Sequence, residues 1–523
     1  MFDIIIRGGR VLDGTGTPAF KADVGIKDGK IAAVDDLINA SGRSLDATGF
    51  VVAPGFIDMH SHSDLALLAN PRAESKIRQG VTTEVIGNCG ESAAPLTPRV
   101  LADFKKESDL DKLQIELDWL SMGEYLAKLQ KQGIALNVVP LVGHGTIRAA
   151  VMGYENRRPA TVEMREMKTL IEQAMQEGAF GMSTGLIYAP SYYADTEELI
   201  ELSQVVAQYG GLYSSHIRGE GNRLLEAVNE AITIGKESGA AVQLSHHKAV
   251  GKANWGKVKH SLALIDQARA SGFNVTADQY PYIASSNGLA ASLPPWMHEG
   301  SKDELLTRLT DPQVRTRLRQ EMAVREGYWE DTKISYCPGH PEYEGLSLQE
   351  IADLRDADPY ENTFDLLHEE NADIRVVRFG MSEEDVHTVM RHPMVMVGSD
   401  ASALAPYGVL CQGKPHPRSY GTFPRVLGKY VREEQVISLE EAVRKMTSLP
   451  AQKLGLRDRG KLQAGMWADI TIFHPETIRD KATYLDPHQY PCGIEYVLVN
   501  GKAVIVRGEH CGELPGKPLL RNG

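Results

Sequence analysis

Apolar runs of strand length alternate along this chain with segments of helical period, the pattern of βα units around a parallel sheet. Eight such runs predict strands over residues 55–59, 83–86, 136–142, 181–184, 212–215, 242–245, 275–278 and 395–398. Between several of them, apolar positions three and four apart predict helices over 162–176, 224–237 and 258–270. The rhythm breaks after Asp278, where more than a hundred residues pass before the last strand. That interval predicts an inserted helical subdomain over about 285–390, with a helix over 302–325 and a further strand candidate at 375–379.

The two ends of the chain have a different texture. Short alternating runs at 4–7, 11–12, 24–27 and 31–34 are joined by tight turns, and Asp28-Gly29 is a hairpin signal because both residues tolerate positive φ. The same style returns at 469–473 and at 497–499, which turns through Asn500-Gly501 into 503–506. The expected fold class is therefore α/β: a TIM-like (β/α)8 barrel over 55–450 carrying the insertion, and a small β-sandwich domain assembled from 1–54 and 451–523. At 523 residues the chain exceeds one ordinary core, which suits such a division.

Composition narrows the partners. A formal net charge of −13 argues against nucleic acid and anionic membranes, both of which are bound through dense Lys and Arg, and points to small molecules. No apolar stretch approaches the roughly 20 residues of a membrane span, and the first residues read as a strand rather than a basic patch and an apolar run. Five cysteines form no Cys-x-x-Cys pair and an odd count makes a poor disulfide framework, so a reducing cytoplasm is the expectation. Nothing in the pattern predicts an oligomeric state.

The candidate chemistry sits where the strands end. Side chains at i and i+2 share a strand face, so His60 and His62 in PGFIDMHSHSD can turn toward one ion. A lone His-x-His pair is commonplace in solvated strands. Here, however, Cys89 follows EVIGN, His216 follows LYSS, His246 and His247 follow VQLS, and Asp400 follows VMVGS. Five strand ends thus offer Cys, His or Asp to the carboxyl-terminal face of a barrel, the face that carries active sites. Imidazole, thiolate and carboxylate together favour zinc over hard cations, with iron, manganese or cobalt as alternatives.

These residues carry a resemblance that covers nearly the whole chain. The opening DIIIRGGRVLDGTG, PGFIDMHSHSD, GVTTEVIGNCG, SSHIRGE, LSHHKAVGK, TADQYPY, VMVGSDAS, HPRSYGTFPRVLG and GKLQAGMWADITIF together resemble the amidohydrolase superfamily, within it the N-acyl-D-amino-acid deacylases of the D-aminoacylase branch. The cysteine of IGNCG discriminates most. Many binuclear relatives bridge their metals with a carboxylated Lys on the fourth strand, where this chain reads GMSTGL and has none.

What the resemblance implies can be stated residue by residue. One tight zinc would be held by Cys89, His216 and His246, and a second, weaker position by His60, His62 and Asp400. His246 is preferred to its neighbour because it directly ends the strand, while His247 would face away. Asp400 would be the general base for water whose pKa the zinc lowers to about 7. Arg418 would hold the substrate's α-carboxylate through its planar fork, with Lys248, Tyr280 and Tyr282 as further substrate contacts. The implied reaction is hydrolysis of an N-acyl-D-amino acid to a carboxylate and a free D-amino acid.

No second basic residue stands out for an acidic side chain, which favours apolar substrates as the expectation. The run ALAPYGVLCQGKP between Asp400 and His416 is longer than in many relatives and predicts an altered substrate preference. His144 also ends a strand but is expected to make an ordinary polar contact. Two rivals differ in class: a cyclic-amide hydrolase such as a hydantoinase or dihydroorotase, disfavoured by Cys89 without a fourth-strand Lys, and a non-catalytic scaffold, disfavoured because every ligand position is filled.

Overall fold

In the computed structural model of the chain, which describes residues 1–108, 110–322 and 327–521, each of the eight expected runs becomes a parallel strand. In chain order these are β1 (Phe56–Asp58), β2 (Val81–Ile86), β3 (Asn137–Pro140, continued by Val142–Gly143), β4 (Gly181–Gly185), β5 (Leu212–His216), β6 (Ala241–Leu244), β7 (Val275–Gln279) and β8 (Val395–Val397). Each pairs with the next in parallel register. The ring closes where Met59 N–H reaches Val397 O at 3.5 Å and Ser61 bridges Ala401.

The helices form because one face of each is apolar. Helix Leu224–Ser238 buries Leu224, Ala227, Val228, Ala231 and Ile234, the i, i+3, i+4 stripe of a helix laid on a sheet. It stops at Gly239, whose φ of +81° lets its N–H return to Gly235 O. Each fully buried Leu, Val or Ile of this stripe contributes about 1.5–3 kcal/mol. Inside the ring, Ile57, Met59, Val85, Val139, Phe180, Leu212 and Met396 fill the barrel. Two later segments reach this same layer: Leu449 and Leu454 of the helix Ser448–Leu454 pack there, and Leu519, with its N–H on Val138 O at 2.8 Å, joins them. Part of the segment after 450 therefore seals the barrel rather than the β-sandwich.

The β-sandwich sets a four-stranded sheet of residues from the first fifty against a seven-stranded sheet that mixes both ends of the chain. Ile6, Val24, Ile26, Val52, Ile470, Ile472 and Leu498 form the layer between them. Both hairpin signals are realised, with φ of +51° and +75° at Asp28-Gly29 and of +50° and +78° at Asn500-Gly501.

The insertion differs from the helical expectation. Ala284–Gly288 and Arg375–Phe379 pair antiparallel, and Thr332–Tyr336 extends the sheet, so the insertion is mixed α and β around a core of its own. Arg375–Phe379 belongs to this sheet and not to the barrel. The expected helix over 302–325 divides into Lys302–Leu309 and Pro312–Glu321, because Pro312 has no N–H to continue the ladder and Asp311 caps the second helix by accepting from Gln313 N–H at 2.8 Å. Its last residues, 323–325, lie outside the described residues. Among the described residues no helix is long and apolar enough to cross a membrane.

Candidate metal centre

The barrel strands run out at one level, and the residues just past them converge. Cys89 Sγ lies 3.6 Å from His216 Nδ1 and 3.6 Å from His246 Nε2, and those two nitrogens are 3.0 Å apart. His60 Nε2 approaches the same sulfur at 3.3 Å and Asp400 Oδ1 at 3.4 Å, while His62 Nε2 meets Asp400 Oδ1 at 3.0 Å. Two groups result, Cys89 with His216 and His246, and His60 with His62, Cys89 and Asp400, and the sulfur belongs to both. Zinc bonds of about 2.3 Å to sulfur and 2.0–2.1 Å to nitrogen, held tetrahedrally, separate the two donors by about 3.5 Å. The spacing of the first group fits a zinc ion.

Local backbone geometry aims these side chains. Cys89, His246 and Asp400 have φ of +53°, +36° and +51°, a left-handed conformation uncommon for residues that bear a side chain. Around Cys89 the turn is made possible by Gly87 at φ +75°, where a Cβ would meet Leu141 O at 2.1 Å.

Second partners fix the rings. His246 Nδ1 lies 3.0 Å from Glu220, whose carboxylate also takes Lys248 Nζ at 2.5 Å, and His60 Nδ1 lies 3.5 Å from Asp278. Asp278 also accepts the His246 backbone N–H at 2.7 Å and Gln243 Nε2 at 2.7 Å. Such outer contacts orient a ligand and set its basicity. Neither Glu220 nor Asp278 was singled out from sequence, although both sit inside the SSHIRGE and TADQYPY blocks.

Burial pushes the Cys89 thiol well above its usual range and, together with the His246 charge, pushes His216 well below its own. A divalent cation between such groups draws the thiol to thiolate and takes lone pairs from the imidazole nitrogens. Burial pushes Asp400 up, but Arg418, His246 and His62 outweigh it and hold the carboxyl well below the usual range. Glu220 is likewise lowered, with burial overcome by Lys248, His216 and His246.

Over the cluster opens a cavity of 610 Å³ lined by Cys89, His216, His246, Asp400, Lys248, Tyr280 and Arg418 among others. Arg418 Nη1 is 2.8 Å from Asp400 Oδ2, and its guanidinium lies 4.7 Å from the Tyr280 ring centroid. His416 accepts the Arg418 N–H and donates to Ala284 O, tying this loop to the insertion. Tyr282, expected beside the substrate, is absent from the lining: it packs on His416 and Arg425, and its hydroxyl faces Pro417 O at 3.4 Å. Alternation along Gln279, Tyr280, Pro281 and Tyr282 does not hold both tyrosines to one face because the strand ends at Gln279. His247 turns away to Ser261 Oγ at 2.8 Å, and His144 is held by Ser191 and Glu198. Tyr188, Glu91, Asn287 and Arg378 also line the cavity, and no local motif marks them in the sequence.

The family model described as the amidohydrolase family matches residues 43–505. Three relatives from Alcaligenes xylosoxydans xylosoxydans align over 99% of this chain. They are an N-acyl-D-glutamate deacylase (39% identical, 97% of its length), a D-aminoacylase (37%, 98%) and an N-acyl-D-aspartate deacylase (36%, 95%). The crystal structure of N-acyl-D-glutamate deacylase from Bordetella bronchiseptica, complexed with zinc and a phosphonate inhibitor that mimics the tetrahedral intermediate, superposes with a TM-score of 0.84 at 37% identity, covering 99% of each chain. With full-length likeness to these enzymes, the chain belongs to the amidohydrolase family, in its N-acyl-D-amino-acid deacylase branch.

Proposed function

We propose that this chain hydrolyses the amide bond of N-acyl-D-amino acids, releasing a carboxylate and a free D-amino acid. The observation that carries the reading is the juxtaposition of Cys89, His216 and His246 at zinc spacing with Asp400, at the floor of one cavity. The D configuration rests on the likeness to relatives whose names carry it.

Cys89, His216 and His246 would hold the tight zinc, and His60, His62 and Asp400 a second, weaker position. Zinc, when bound, supplies Lewis acidity toward the acyl carbonyl and lowers the pKa of water to about 7. Asp400, kept ionised by its neighbours, accepts the proton as the water oxygen bonds to the acyl carbon. It returns that proton to nitrogen as the carbon–nitrogen bond breaks. Arg418 offers its fork to the α-carboxylate, and Lys248 and Tyr280 complete that wall of the cavity. Five cysteines, none of them paired, support a reducing, cytoplasmic setting.

The test is a screen of matched N-acetyl-D and N-acetyl-L amino acids with purified protein, before and after chelation. The expected result is turnover of D-substrates that chelation removes and zinc restores. Turnover indifferent to chelator, or a preference for L-substrates or cyclic amides, overturns the reading.

A further inference from the structure

The roof of the cavity is the insertion's sheet, in which Ala284–Gly288 pairs with Arg375–Phe379 and sets Ser285 opposite Arg378. Ser285, Ser286, Asn287 and Arg378 all line the cavity. Arg378 Nη2 donates to Ser292 Oγ at 2.8 Å and reaches the Tyr328 hydroxyl at 3.4 Å, and its guanidinium lies 5.2 Å from the Tyr328 ring centroid. Its Nε is buried without an acceptor.

The cavity's other long cations are each matched. Lys248 has Glu220 and Arg418 has Asp400. Arg378 has hydroxyls and an aromatic face, which fix its orientation and neutralise nothing. Among the described residues no carboxylate lies within ion-pair distance of it, and Glu91, another carboxylate of the lining, makes no such pair. A guanidinium is ionised at every ordinary pH, and a buried donor without an acceptor is a deficit that a ligand can fill.

We propose that Arg378 binds the side-chain carboxylate of the substrate, so that this chain prefers N-acyl-D-amino acids with an acidic side chain, glutamate or aspartate. The inference rests on the deacylase reading and reverses the expectation of apolar substrates. Similarity alone does not select the side chain, because the relatives named for glutamate and for aspartate are 39% and 36% identical and the D-aminoacylase 37%. The selecting feature is an unmatched cation in the lining of the cavity that also holds Cys89, His216, His246 and Asp400.

The experiment measures kcat/KM of the zinc-loaded enzyme on N-acetyl-D-glutamate, N-acetyl-D-aspartate, their neutral isosteres N-acetyl-D-glutamine and N-acetyl-D-asparagine, and N-acetyl-D-leucine. A hydrogen-bonded charge pair predicts that at least one acid exceeds its own amide by about 30-fold or more. Arg378→Leu brings that ratio to near unity, and Arg378→Lys restores part of it. The wild-type ratio stands without any variant, so a poorly folding substitution leaves the test intact. An amide or leucine substrate matching the acids in the wild type, or an acid-to-amide ratio that survives Arg378→Leu, overturns the proposal. No turnover on any of the five overturns the deacylase reading itself, whereas turnover on leucine alone overturns only the role of Arg378.

Discussion

Supporting the cavity floor from outside its lining, Lys76 stands wholly buried, its ammonium 2.7 Å from Asp58, 2.6 Å from Ser399 Oγ and 2.8 Å from Ala401 O, with Glu84 at 3.6 Å. Asp58 in turn accepts the N–H groups of His60 and Ser399. These bonds join the ends of β1 and β8, the two strands whose loops carry His60, His62 and Asp400. In the roof, by contrast, the insertion closes around Leu289, Leu305, Ile334, Leu348, Phe364 and Val376. A network of buried charges has one geometry that satisfies it, while a hydrocarbon core tolerates exchange of one side chain for another of similar volume. Under the proposed function, the floor is suited to hold the reaction constant and the roof to let the substrate vary.

The most severe way to test that division is to remove the sulfur shared by both ligand groups. Cys89→Ala is expected to lose the tight zinc and to abolish turnover of every substrate alike, read by metal analysis of the dialysed protein alongside a substrate panel. Substrate-dependent losses would mean that the floor also selects. Asp400→Ala comes next. A general base contributes about 10²–10⁴ in rate, so turnover falls by that factor on each substrate while about one zinc per chain remains. Retained turnover would show that another group takes the proton. Roof substitutions, exemplified by Arg378, are expected to reorder substrates instead of silencing them.

The same contrast explains what could be read from sequence. Barrel strands and helices announce themselves because period and burial coincide: the 258–270 expectation is realised as Val258–Ala270. The candidate metal ligands are visible because each follows a strand-like run, as His216 follows 212–215. Glu220 and Asp278 were hidden since their role depends on a partner from another strand. Arg378 was hidden for a stronger reason. Its strand was suspected, but which face meets the cavity is set by antiparallel pairing with Ala284–Gly288, a contact ninety residues apart in the chain that no local period encodes. Tyr282 illustrates the converse, a residue named through the resemblance that lies past the end of its strand at Gln279 and packs away from the cavity.

The smallest expected effect concerns stability, and it separates floor from roof by pH. Burial pushes the Glu84 carboxyl up to about 7, with Lys76 opposing and Asp58 adding to the rise. In the unfolded chain the group titrates near the ordinary glutamate value of 4.5. Between these values the folded state holds a proton that the unfolded state has released, so stability is fully present below pH 4.5, declines as pH rises toward about 7, and is level above. The displacement corresponds to at most about 3 kcal/mol, and relaxation of the buried cluster reduces it. Glu84→Gln is neutral throughout and keeps a partner for Ser63 Oγ, which stands 2.9 Å from the carboxylate. Denaturant unfolding at pH 5 and pH 8 should show the variant gaining on the wild type at the higher pH by about 1–3 kcal/mol. Equal pH dependence of the two proteins would mean that Glu84 is ionised in the fold and that Lys76 balances two carboxylates, a floor held by full charges rather than by one ion pair and a neutral acid.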